Sequence, residues 1–270
     1  MGIQNNSNIE FIDILSKKNI SYIWIVSSIQ IKNSMNIAII GYGKMGKTIE
    51  KIAKMRNHKI SLCYDATPSI HLLKNSNSNV AIEFSQPHSA FNNIKICIEN
   101  NIPIISGTTG WLEKFDIIKK ICKEKNGSFL YSSNFSIGMN VFFEINKILS
   151  KLLHLYCKDY EITIEEIHHK EKIDKPSGTA LSLAKDIVHN KMKKTWILDE
   201  RKTKNQILIL SKRYNNITGI HTVKYKSQVE DIQIQHKAHS REGFALGAVI
   251  AAEWIQNKKG IFSMKEVLGI

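Results

Sequence analysis

The chain has 270 residues, with 38 Lys and Arg against 24 Asp and Glu for a formal charge of +14, a length that accommodates one large domain or two modest ones. Positive charge serves nucleic acid or an anionic membrane when it is clustered; here Lys, Asn and Ile recur throughout, with no helix-turn-helix, zinc-finger or RNA-binding pattern beside them. Nucleic-acid and membrane partners are therefore set aside, and a diffuse field that draws in anionic small molecules fits the same composition.

Cys63, Cys97, Cys122 and Cys157 form no C-x-x-C pair, so they predict neither a metal site nor a disulfide framework but small buried hydrophobes in a reducing, cytoplasmic compartment. Residues 20–31 are apolar but are interrupted by Ser21, Ser27, Ser28 and Gln30. They fall short of the ~20 apolar residues of a membrane span and lack the small-residue cleavage site of a secretory signal. Residues 1–34, rich in Asn, Ser and Ile without a clear period, are expected to be an extension outside the fold, with translation beginning at Met35.

From Met35 the pattern changes. Residues 36–40 are a short apolar run, followed by Gly41, Tyr42, Gly43, Lys44, Met45 and Gly46 and then by helical spacing. This G-x-G-x-x-G between strand and helix is a dinucleotide-binding turn. The first glycine permits the turn, the second admits the pyrophosphate and the third lets helix pack on strand, while the helix N-terminus offers free N–H groups to phosphate. About 20 positions on, where the fingerprint wants an acid for the adenine ribose, Asp65 ends the strand at 59–64. A carboxylate there repels a 2′-phosphate and favours NADH, while Lys44 can offset that repulsion and keeps NADPH in play.

The alternation continues with strands at 80–84, 102–105 and 129–131 and helices at 89–99 and 112–123. That rhythm predicts a parallel sheet with helices on both faces, whose ligands gather at the carboxyl ends of the strands. The loops there are Glu83-Phe84-Ser85-Gln86-Pro87, Ser106-Gly107-Thr108-Thr109-Gly110 and Ser132-Ser133-Asn134-Phe135. Gly107, Thr108, Thr109, Ser132, Ser133, Asn134 and Phe135 are taken as a cradle for the nicotinamide end.

Beyond Phe135 the rhythm breaks. Residues 138–155 place Val141, Ile145, Ile148, Leu149 and Leu152 at helical spacing, an amphipathic helix. Strand patterns follow at 160–167, 207–210, 221–225 and 232–236, which predict a smaller α+β layer with an open, mostly antiparallel sheet. Between the first two of these strands lies the densest chemistry, His168-His169-Lys170-Glu171-Lys172, ending at Pro176-Ser177-Gly178-Thr179-Ala180 and a helix start. The adjacent histidines lack a third metal ligand at convincing spacing. A loop of imidazoles and ammonium groups that ends on a helix N-terminus suits an anionic substrate that must also receive a proton.

With its double histidine, the lysine three positions later and the Pro-Ser-Gly-Thr-Ala ending, the stretch from Glu166 to Thr179 resembles the signature of the dihydrodipicolinate reductase family. The Gly-Thr-Thr-Gly loop at 107–110, Ser-Asn-Phe-Ser at 133–136 and the stretch from Ser240 to Ala248 are similar to the family in the same order. The resemblance implies hydride transfer from NADH or NADPH to a cyclic imine dicarboxylate of lysine and diaminopimelate synthesis. It assigns Lys172 as proton donor, His168 as partner acid or base, and His169, Gly178 and Thr179 as substrate-binding. It also implies a homotetramer built through the second sheet, and a return of the last segment, near 261–268, to the cofactor domain. The expected division is 35–134, rejoined by about 245–270, for the dinucleotide and 135–244 for substrate and assembly. Two departures from the family, the short span from Asp65 to Val80 and Ala66 after the acid, bear on the adenine side only.

Two other readings compete. A semialdehyde dehydrogenase would want a nucleophilic cysteine in a polar loop, and none of the four sits in one. A dinucleotide-sensing regulator would keep Gly41, Gly43, Gly46 and Asp65 without needing Lys172 and His168.

Overall fold

The computed structural model describes residues 34–65, 70–200 and 202–270. Of the expected extension only Ser34 falls within it, and Ala66 lies outside the described residues. In chain order the first half runs β1 (Asn36–Ile40), α1 (Lys44–Met55), β2 (Lys59–Tyr64), α2 (Ile70–Asn75), β3 (Val80–Glu83), α3 (Pro87–Glu99), β4 (Ile104–Ser106), α4 (Phe115–Glu124) and β5 (Ser128–Tyr131). The second half holds α5 (Ile137–Leu152), β6 (Glu161–His169), α6 (Gly178–His189), β7 (Thr195–Leu198), β8 (Gln206–Tyr214), β9 (Gly219–Lys226) and β10 (Asp231–Ala238). The chain closes with α7 (Glu242–Ile255), β11 (Gly260–Phe262) and α8 (Met264–Leu268).

The first sheet is wholly parallel, in the order β11-β5-β4-β3-β1-β2. Its central strands are near-continuous apolar runs because helices cover both faces. Ile49, Ile52, Val249 and Ala252 fill one side from α1 and α7, while Ile94, Ile98 and Ile118 fill the other from α3 and α4. Cys97 and Cys122 are part of that second core, and burial pushes both thiols up. Strand order reverses between β1 and β3, which leaves a crevice at the carboxyl edge where such sheets hold ligands. Helix α7 is pinned to the end of α1 by a buried cluster: Glu253 accepts a two-pronged bond from Arg56, at 2.7 and 2.8 Å, and faces His58 Nε2 at 2.8 Å. Burial alone would raise the Glu253 pKa, but the bonds from His58 and Arg56 outweigh it and hold the carboxyl below its usual range.

The second sheet departs from expectation. It has five strands in the order β10-β9-β6-β8-β7 and is mixed, with antiparallel pairs β10/β9 and β9/β6 but parallel pairs β6/β8 and β8/β7. The crossover through α6 returns the chain to β7 in the same direction as β6, and β8 then enters between the two, parallel to both. The unexpected strand, β7, is a four-residue edge whose Thr195 and Trp196 are exposed, so it carries little apolar alternation.

Helix α5 forms where the spacing calls for an amphipathic helix, with an unusual division of its faces. Its buried side carries Met139, Phe142, Asn146 and Ser150, while Val141, Ile145, Ile148 and Leu152 face outward. The polar residues tolerate burial because they are partnered: Asn146 donates to the Leu183 carbonyl and Ser150 to the Lys147 carbonyl.

Candidate active site

The glycine turn after β1 is built by close approach. Gly41 adopts φ +92°, and a Cβ there would lie 2.1 Å from the Phe84 carbonyl oxygen; one on Gly46 would lie 2.2 Å from the Gly41 carbonyl oxygen. Turn, neighbouring loop and helix are thus packed backbone to backbone. A Cβ on Gly43 would meet nothing within 4 Å, so the middle glycine faces open space and the turn fits a diphosphate. Lys44 is exposed at the same helix start and Met45 is half-buried. Asp65 sits beside the turn, its carboxylate accepting a hydrogen bond from the Tyr42 N–H. The Tyr42 hydroxyl bonds to Glu50, which pushes the phenol up to about 12.

The loops after β3 and β4 share one organiser. Glu83 is fully buried; it accepts bonds from Ser85 N at 2.9 Å, the Ser85 hydroxyl, Thr108 Oγ1 at 2.8 Å and Ser106 Oγ at 2.6 Å. The Thr108 hydroxyl is therefore spent inside the protein, and the exposed Thr109 is the threonine of that loop that faces outward. Gly107 lies against the Phe84 ring, where a Cβ would come within 2.3 Å. After β5, Ser132 Oγ donates to the Asn134 carbonyl at 2.7 Å, and the Asn134 side chain accepts from Ser136 N at 2.9 Å. Phe135 is buried and packs on Phe84 with ring centroids 5.5 Å apart.

Across the crevice stands the edge of the second sheet. Alternation along β6 turns Glu166 and His168 to one side and Ile167 and His169 to the other. Glu166 is fully buried; it accepts from Ser177 N at 3.0 Å, Ser211 Oγ at 2.5 Å and Arg213 Nη2 at 3.2 Å. Burial would raise its pKa, and the bonds from Ser177 and Ser211 overcome that and lower it. His168 Nε2 lies 3.2 Å from His221 Nε2. Burial is the leading reason that His168 lies below the ordinary imidazole range and that His221 is pushed down to about 3. Both rings are therefore neutral at pH 7.

The Lys172 ammonium pairs with Asp174 at 2.7 Å. Arg213 fastens the loop by donating to the carbonyls of Lys172 at 3.4 Å and Asp174 at 2.6 Å. Ser177 caps α6 by accepting from Ala180 N at 3.2 Å, which leaves exposed Gly178 and half-buried Thr179 in the first turn.

A cavity of about 570 Å³ joins the two sides. Met45, Phe84, Ser133, Asn134 and Phe135 line it from the first, and His168, His169, Lys172 and Thr179 from the second. Gly41, Tyr42, Gly43, Lys44, Gly46, Asp65, Gly107, Thr108, Thr109, Ser132 and Gly178 are outside its lining. Sequence reasoning missed His221, His236 and Arg241 in the wall, and the supports Glu83, Ser211 and Arg213. A readable sign existed: Glu166, Ser211 and His221 occupy inward strand positions where the alternation calls for apolar residues. His169 Nδ1 and His236 Nδ1 are buried without a hydrogen-bond partner, and both rings line the cavity. Unspent polar atoms in such a wall are suited to a polar ligand.

A glycine turn at the switch point of a parallel sheet, facing a second sheet that brings imidazole and ammonium groups to the same cavity, defines a two-part dinucleotide-dependent oxidoreductase. The family model described as Dihydrodipicolinate reductase, N-terminus, matches residues 35–135, and that described as Dihydrodipicolinate reductase, C-terminus, matches 138–268. The chain belongs to the dihydrodipicolinate reductase family. It is 50% identical over 235 residues to the 4-hydroxy-tetrahydrodipicolinate reductase of Christiangramia forsetii, covering 87% of this chain and 98% of that protein. The enzyme of the same name from Rickettsia rickettsii is 35% identical over 244 residues, covering 87% and 100%. Among solved structures, the dipicolinate-bound dihydrodipicolinate reductase of Paenisporosarcina sp. TG-14 superimposes with a TM-score of 0.65 at 19% identity, over 87% of this chain and 99% of that one. At that identity the likeness speaks for the fold.

Proposed function

We propose that this chain reduces the dihydrodipicolinate-type intermediate derived from 4-hydroxy-tetrahydrodipicolinate to tetrahydrodipicolinate, with NADH or NADPH, in lysine and diaminopimelate synthesis. The observation that carries this reading is the shared cavity, in which Met45, beside the glycine turn, and Lys172 face the same space. A nicotinamide held by the glycine turn and the loops after β4 and β5 would supply a hydride for the imine carbon. The chain's own residues deal with the charge that then develops on the ring nitrogen. Lys172 is the donor: His168 is held neutral by burial, so it serves better as a hydrogen-bond acceptor and orienting base, while the ammonium carries the proton to be given. His169, with its unpartnered Nδ1, and the first turn of α6 at Gly178 and Thr179 hold the substrate carboxylates.

Residues 35–134 with 245–270 hold the dinucleotide through Gly41, Tyr42, Gly43, Lys44, Met45, Gly46 and Asp65, and through the loops at Gly107, Thr108, Thr109, Ser132, Ser133, Asn134 and Phe135. Residues 135–244 hold substrate and assemble a homotetramer. Support for assembly comes from the outer face of the second sheet: Ile162, Ile164 and Val223 face the core under α5 and α6, whereas Ile167, Leu208 and Ile220 alternate to the other side, outside that core. The cytoplasm is the proposed compartment, in keeping with four free cysteines among the described residues. Among those residues no helix is long and apolar enough to cross a membrane.

The deciding experiment couples the purified protein to a synthase that generates the substrate and follows nicotinamide absorbance with each cofactor. Turnover that requires the synthase product is the expected result. Absorbance loss without it, or none with it, would refute the reading.

A further inference from the structure

We propose that Glu166, His168 and His221 form a site for a tetrahedral divalent cation of the zinc class, and that an ion held there switches the reductase off by occupying His168. The inhibitory half rests on the function proposed above; the site itself does not. Register explains the grouping. Glu166 and His168 are two apart on β6 and so share a face, and His221 on antiparallel β9 stands directly opposite Glu166. Spacing in sequence hid this, because the third ligand arrives from the neighbouring strand and not from the His168-His169 pair.

The three ligand atoms form a nearly regular triangle. His168 Nε2 is 3.2 Å from His221 Nε2 and 3.6 Å from Glu166 Oε2, and His221 Nε2 is 3.8 Å from that same oxygen. A tetrahedral zinc ion with bonds of about 2.0–2.1 Å sets its ligand atoms roughly 3.3 Å apart. A contraction of a few tenths of an ångström therefore completes the site. Two imidazoles and a carboxylate with one open position are a ligand set that zinc accepts, and His168 and His221 both line the cavity, which supplies a water for the fourth position.

The surroundings hold the ligands in place, as supporting contacts around metal ligands do. Glu166 Oε1 takes the bonds from Ser211 and Arg213, while Oε2 accepts from the Ser177 N–H and faces the imidazoles; the Ser177 hydroxyl, 3.3 Å from His221 Nε2, gives way when an ion binds. His168 is steadied by a hydrogen bond with the Thr218 backbone. The two imidazoles select against magnesium or calcium, which prefer oxygen ligands, in favour of an ion with real affinity for nitrogen. Binding displaces the proton that bridges the two Nε2 atoms onto the other nitrogen of its ring and leaves His168 without a free lone pair at Nε2. Glu166, His168 and His221 are the one cluster of this kind among the described residues.

The test uses metal ions alone as probes. Cobalt(II) added to the whole protein should give the intense visible bands of tetrahedral coordination, lost on adding zinc and absent from His221→Gln. Zinc should lower turnover at least about tenfold with the coupling synthase in excess, and a chelator should restore it; in His221→Gln cobalt and zinc affinity should fall about 100-fold, and zinc sensitivity should vanish. Far-UV circular dichroism and dinucleotide binding check that this variant folds, and His168→Asn provides a second variant for the cobalt reading. Absence of tetrahedral bands, or bands that survive both substitutions, would overturn the site. Tetrahedral bands with turnover untouched by zinc would leave the metal site standing and remove His168 from the reaction.

Discussion

The two halves of the molecule build their sides of the cavity by different means. The dinucleotide half works through backbone: Gly41 and Gly46 bring main chain within contact of main chain, and Gly43 leaves the space a diphosphate needs. The half proposed for substrate works through side chains delivered by separate strands, with His168 from β6 and His221 from β9 in the cavity wall and Ser211 from β8 behind them on Glu166. A backbone site is written in consecutive residues, whereas a side-chain site is assembled by pairing. The first half should therefore respond to substitution through affinity, and the second through chemistry.

The largest expected effect tests that division. Lys172→Ala should lower turnover by about 10²–10⁴-fold, the range for a positioned proton donor, while dinucleotide affinity measured by fluorescence titration stays near wild type. A parallel loss of dinucleotide affinity would erase the distinction between the halves. Next comes the buried Arg56–Glu253 pair, which fastens helix α7 to the end of α1. Glu253→Ala removes the buried carboxylate that Arg56 and His58 share and should cost roughly 3–5 kcal/mol in denaturant unfolding. A loss below 1 kcal/mol would mean that the cluster is not a fastening.

Acid sharpens the comparison from the other side. His168, His221 and His236, all in the substrate half, have folded pKa values below the ordinary imidazole value, His221 at about 3. The unfolded chain thus binds protons that the folded chain refuses. Stability is complete above the unfolded value and declines as pH falls from about 6.5, by up to about 1.4 kcal/mol per pH unit for each such group. Unfolding curves at pH 7, 6 and 5 should show this decline, and His221→Gln should flatten it; an unchanged slope would contradict the neutral, buried state of that ring. The smallest effect belongs to Asp65. Asp65→Ala removes one exposed charge facing a 2′-phosphate and should shift the NADPH to NADH preference by roughly fivefold, the scale of a repulsion of about 1 kcal/mol. An unaltered ratio would take Asp65 out of cofactor choice.

The same contrast governs what the residues disclose before folding. The parallel sheet could be read because its strands, glycines and Asp65 follow each other at the intervals that a β-α-β rhythm imposes. The mixed character of the second sheet could not, since the parallel β6/β8 pairing depends on how the chain returns after α6 and edge strand β7 lacks an apolar face. On α5 the helix was legible but its buried side was not, because partnered Asn146 and Ser150 take buried positions beside Met139 and Phe142. The loop from His168 to Thr179 was legible as a contiguous motif. Its supports were not: Arg213 lies 41 residues from the Lys172 carbonyl it holds, and His221 lies 53 residues from His168.

One buried carboxylate has a consequence for how ligands arrive. Because Glu83 gathers donors from Ser85, Ser106 and Thr108, two rims of the dinucleotide crevice are organised while the protein folds. The entropic cost of ordering them is met at that stage and is not charged again at each encounter. Association should then proceed as docking onto a finished shape.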